Sequence, residues 1–91
     1  MFDDVITLIH EVDESTTEET EVFASVESAG QNEFFKAAQT GMEAQYKISV
    51  RISDYDGETL AKINGKTLNI YRTFLRRDGK IELYLGRKVG V

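Results

Sequence analysis

At 91 residues the chain has room for one domain, and its 41% hydrophobic content suits a compact core and excludes a disordered chain. It has no cysteine, which excludes disulfides and thiolate metal sites, and no proline. The net charge of -5 hides an asymmetry: residues 1–45 hold eleven acids against Lys36 alone, a balance of -10, and residues 46–91 come to +5. No apolar run approaches the roughly 20 residues of a membrane-spanning helix, and no signal-peptide pattern opens the chain. A soluble protein made inside a cell, with no membrane partner, is expected.

The first predicted strand runs from Asp3 to Ile9, with β-rich residues on both faces, so its inward set is ambiguous. Residues 11–20 hold five acids (Glu11, Asp13, Glu14, Glu18 and Glu19) and four Ser/Thr. That composition predicts a solvated loop tip. Glu21 to Ser28 alternates, with Val22, Ala24 and Val26 on one face and Phe23, Ser25 and Glu27 on the other. The segment Gly30–Gly41 is the only one that reads as a helix. Asn32 is its expected N-cap, Glu33 puts negative charge in the first turn, and Gly41 suits a left-handed C-terminal position. Phe34, Phe35, Ala38 and Met42 share one side at helical spacing. About eight helical residues do not hold a helix in water. The helix must therefore dock on the sheet, bind a partner, or stay partly unfolded. Phe34 and Phe35 have two readings: a lid buried on the sheet, which is preferred, or a surface kept for a neighbouring subunit.

Glu43 to Ser53 is the clearest strand, with Ala44, Tyr46, Ile48, Val50 and Ile52 facing one way. Asp54–Gly57 reads as a turn, Glu58–Ile63 as a short strand, and Asn64-Gly65 as a tight hairpin turn. Lys66–Arg76 returns, Asp78-Gly79 turns again, and Lys80–Lys88 closes the pattern with Ile81, Leu83 and Leu85 on one face. Short connections and no helical crossover predict a mainly β fold. A six-stranded meander of this size curls into a small barrel or sandwich, and the expectation is a small six-stranded antiparallel β-barrel with one short inserted α-helix at about 29–43.

No catalytic constellation is visible, and neither metal nor cofactor is expected. His10 is the sole histidine and has no companion ligand, and the aspartates of Asp54–Gly57 are too close-set for an EF-hand. The basic flank Arg72, Arg76, Arg77, Arg87 and Lys88, interleaved with Tyr71, Phe74 and Tyr84, fits a single-stranded nucleic-acid-binding barrel as one alternative. The charged halves are either simply solvated faces or self-complementary. In the second case an acidic flank on one copy meets a basic flank on the next, in a head-to-tail contact that closes into a ring where the rotation permits.

Nearly the whole chain resembles the phage head–tail joining family, the head closure or stopper proteins. The resemblance rests on Asp4–Leu8, Val22–Val26, Glu33-Phe-Phe-Lys-Ala-Ala-Gln-Thr-Gly41, Val50-Arg51, Asn64–Arg72 and Ile81–Leu85, taken in order and spacing. It implies a structural, non-enzymatic subunit that assembles as a ring below the portal and its adaptor in a virion neck. Such a ring retains packaged DNA and docks the tail through a terminator or completion protein. The resemblance places the segment between the second and third strands toward the channel. That marks Gln31, Asn32, Glu33, Phe34, Phe35, Lys36, Gln39 and Glu43 as candidate channel or subunit-interface residues. It turns the loop at Glu11, Asp13, Glu14, Glu18 and Glu19 toward a neighbouring ring. If Glu33 and Glu43 face the channel, double-stranded DNA is expected to pass without being bound.

Overall fold

The computed structural model describes residues 4–89. Its elements are β1 (Asp4–Asp13), β2 (Thr16–Ser28), α1 (Gln31–Ala38), β3 (Met42–Arg51), β4 (Leu60–Ile63), β5 (Lys66–Leu75) and β6 (Lys80–Lys88). A 3-10 turn at Ile52–Asp54 leads out of β3. The strands pair antiparallel and close into a barrel in the order β1-β2-β3-β6-β5-β4. The expected mainly β barrel with a single short helix is therefore the fold among the described residues. Its order is not that of a meander. β3 pairs with β6, and the segment 52–59 carries the chain on to β4, which closes against β1.

The core lies inside this ring. Ile6, Leu8, Val22, Ala24, Ile48, Val50, Ala61, Ile63, Leu68, Ile81, Leu83 and Leu85 are buried together. They follow the alternation read from the sequence in β2, β3 and β6, because each strand gives one face to the interior and the other to solvent. In β1 the ambiguity resolves to Ile6 and Leu8 inward, with Val5 exposed; Ile9 is buried as well. The expected start of this strand at Asp3 lies outside the described residues. Ile52, expected on the inward face of β3, stands in the 3-10 turn and is exposed.

The turns obey backbone chemistry. Asn64 (φ 51°) and Gly65 (φ 77°) both take positive φ, as a type I′ hairpin turn requires.

One expected loop is a strand pair instead. Residues 11–20, read as a solvated loop, continue β1 and β2 into a long hairpin arm. The register runs from His10↔Glu18 to Asp13↔Thr16. Threonines at 16, 17 and 20 favour extended backbone. The Asp13 carboxylate accepts the Ser15 backbone N–H at 2.9 Å and so fixes the reversal. Every residue from His10 to Glu21 is exposed, so this ribbon buries nothing and carries its acids to the tip.

Candidate functional site

Helix α1 follows the far end of β2, away from the arm. Its N-cap is Gly30 with extended backbone, and the expected cap Asn32 lies inside the first turn. The Gly30 carbonyl accepts the N–H groups of Glu33 (3.1 Å) and Phe34 (3.2 Å), which starts the helix two residues early. Gly41 has the expected left-handed conformation (φ 76°).

The buried face of α1 is not the aromatic stripe. Only Glu33 and Ala37 are buried. Phe34 is 49% exposed and Phe35 is 66% exposed, so the preferred lid reading fails for both rings. Gln31, Asn32, Lys36 and Gln39 also face solvent.

A polar clamp replaces the apolar dock. Arg72 Nη2 donates to Glu33 Oε1 at 2.7 Å, and the Tyr71 hydroxyl donates to Glu33 Oε2 at 2.6 Å. Arg72 Nε reaches Oε2 at 3.3 Å. Tyr71 and Arg72 are successive residues of β5 and would ordinarily point to opposite faces. The ladder shifts register between Ile70 and Arg72, so Tyr71 is the extra residue of a bulge. That irregularity aims both side chains at one carboxylate. The Arg72 guanidinium also lies 4.0 Å over the Tyr84 ring, and the Tyr84 hydroxyl donates to Glu82 at 2.8 Å.

Gly86 makes room for this arrangement. A Cβ there would sit 2.7 Å from the Glu43 carbonyl oxygen and 3.1 Å from Tyr71 Cε2. Gly86→Ala is expected to push β3 and the Tyr71 ring apart and to cost about 1–3 kcal/mol in chemical denaturation. An unchanged denaturation midpoint would mean that the strands give way freely.

Burial works against ionisation of Glu33. Hydrogen bonds from Arg72 and Tyr71, with the charges of Arg72 and Lys36, outweigh it and hold the carboxyl below its ordinary value. Burial, then the hydrogen bond to Glu33 and its charge, pushes the Tyr71 phenol up. Burial and Glu82 push Tyr84 up to about 12. A lowered carboxyl pKa contributes stability above its unfolded value, and that contribution is lost as pH falls through the folded value. A raised phenol pKa does the reverse at the alkaline end. The clamp thus holds fully between about pH 5 and about pH 10. We expect acid to release α1 below that window, read by amide exchange of residues 31–38, and Glu33→Gln to flatten the dependence.

The remaining candidates fall into three groups. Glu43 is bridged by Arg87 at 2.9 Å and accepts from Gln45 at 2.8 Å. Both acids expected to repel DNA are therefore matched by arginines, and repulsion by Glu33 and Glu43 loses its basis. In the basic flank, Arg72, Arg76 and Arg87 are engaged by carboxylates, with Arg76 bound to Asp78 (2.9 Å) and Glu82 (3.7 Å). Arg77 and Lys88 are exposed and form no ion pair among the described residues. Glu11, Asp13, Glu14, Glu18 and Glu19 all stand exposed on the arm.

Sequence reasoning missed Tyr71, Tyr84 and Gly86 as supports of the helix. The adjacent Tyr71-Arg72 pair was the only local signal, since the glutamate it serves lies 38 residues earlier than Tyr71. No described helix is long and apolar enough to cross a membrane. No family model matches this chain, and no curated protein sequence matches it.

Proposed function

We propose that this chain is a structural, non-enzymatic head–tail connector subunit of a tailed phage or prophage, a member of the head closure type. It is made in the bacterial cytoplasm and joins the virion neck as a ring below the portal and adaptor. There it helps retain packaged double-stranded DNA, which it does not read, and docks a tail terminator or completion protein.

The observation that carries this reading is the posture of α1. The helix is fastened from beneath by Glu33, so that Phe34 and Phe35 are presented outward. A short helix held by a polar clamp with two free aromatic rings suits contact with another subunit better than service to its own core. The arm and the helix lie at opposite ends of β2, which suits a ring with one face toward a neighbouring ring and a separate element toward the axis or the next subunit.

The reading of a single-stranded nucleic-acid-binding barrel relies on Arg72, Arg76 and Arg77, and two of these are already satisfied by carboxylates. Phosphate binding there would have to break those pairs. Electron microscopy of connectors purified from particles tests the proposal directly. Density for a six-stranded barrel between portal and tail is the expected result, and its absence would sink the assignment. An anisotropy titration with oligonucleotides at low salt separates the rival, which requires a steep salt-dependent affinity.

A further inference from the structure

Among the described residues the two longest open strand edges of this barrel lie beside opposite charge. β2 pairs with β3 only from Ser25 to Ser28, so its outer edge from Thr16 to Ala24 has no ladder partner among the described residues. β5 pairs with β4 only from Lys66 to Asn69, because β4 begins at Leu60 and the chain before it turns away. The outer edge of β5 from Tyr71 to Leu75 is likewise unpaired among the described residues.

We infer that the open β2 edge of the arm on one copy adds as a strand to the open β5 edge of the next copy. The occupant of each edge is thus a second copy of this chain. The inference rests on the assembly reading above for its setting and on the geometry for the contact.

Charge selects this pairing over its alternatives. The arm presents Glu18, Glu19 and Glu21 along β2 and holds no base between His10 and Glu21. The β5 end leads into Arg76, which Asp78 and Glu82 already engage, and into Arg77, which is exposed and forms no ion pair among the described residues. Two arms side by side would set carboxylates against carboxylates, and two β5 edges would set arginines against arginines. Only the unlike edges match, so the contact is head-to-tail and propagates round an axis. Main-chain hydrogen bonds supply the affinity of an added strand, and exposed side chains beside it supply selectivity. Phe74 and Leu75, 54% and 63% exposed, flank the receiving edge, and Phe23, 65% exposed, lies near the end of the donating one. The shorter open edge of β1, His10 to Asp13, fits less well, because it offers four residues and Glu11 already accepts a weak 3.4 Å contact from Thr59.

The chain contains no cysteine, so introduced thiols report contacts without background. Single cysteines placed at Thr17, Glu18, Glu19 or Thr20 are mixed, in full-length protein, with single cysteines placed at Thr73 or Phe74, and mildly oxidised. All six positions are exposed, so the fold is spared. We expect at least one arm–β5 pair to cross-link about fivefold or more above arm–arm and β5–β5 pairs, with salt eroding the difference. Adding Arg77→Glu should reduce the yield by up to about fivefold, and Glu19→Lys on the other chain should restore it. If no arm–β5 pair exceeds the like pairs, the inference is overturned. Rings that form without this cross-link would sink the edge pairing and leave the connector reading intact. A strong cross-link in a protein absent from virion necks would sustain the contact and remove the assignment.

Discussion

Replacing Glu33 with alanine is expected to free α1 from the barrel. The change leaves the Arg72 guanidinium and the Tyr71 hydroxyl facing each other without their shared acceptor. Removing one member of a largely buried ion pair costs more than the net worth of the pair, because the other charge stays behind. Arg72 keeps about a third of its side-chain exposure, so water recovers part of the loss. The expected cost is about 2–4 kcal/mol, a Tm fall of roughly 8 °C or more for a domain of this size. An eight-residue helix has no independent stability, so α1 should melt when it lets go. Amide exchange of residues 31–38 should become rapid while β3 and β6 stay protected. Arg72→Ala added to Glu33→Ala should cost much less than the two separate losses combined. Full exchange protection of the helix in Glu33→Ala would refute the clamp.

The double substitution Phe34→Ala with Phe35→Ala should behave in the opposite way. Both rings face solvent, so removing them should change the stability of the single chain by no more than about 0.5 kcal/mol each. On the connector proposal, a partner subunit covers the exposed surface of both aromatic side chains in the assembly. Burying the exposed part of two phenylalanines contributes about 2–4 kcal/mol per interface, or a factor of about 30 to 1,000 in association. The variant should keep the parental denaturation midpoint and fail to complete particles or hold their DNA. A parallel fall in monomer stability and assembly would return the aromatics to the role of a lid.

These two variants mark where sequence reasoning held and where it stopped. The existence of α1 was legible from the change of periodicity after Ser28 and from Gly41. Its orientation was not. Helical spacing put Phe34, Phe35 and Ala38 on one apolar stripe, and an apolar stripe ordinarily faces inward. The bond that sets the orientation comes from β5, through a bulge that no local pattern announces. The barrel strands were legible wherever one face is buried, as in β3 and β6, because burial writes the alternation. The arm was read as a loop for the same reason. A ribbon with no buried face has no alternation to show, and its acids outweighed the extended preference of Thr16, Thr17 and Thr20. The meander failed at the one connection, residues 52–59, that crosses the barrel before β4.

The four-residue β4 is the clasp of this hoop. It meets β1 only from Thr7 to Ile9 and β5 only from Lys66 to Asn69, and every other stave is nine residues or longer. Brief opening of the native molecule should therefore begin at this seam, with β4 the first strand to take up deuterium. A neighbour gripping β5 just beyond the clasp would hold the hoop shut from outside. Subunits in a completed neck would then withstand heat and pressure from the packed genome that a lone subunit would not.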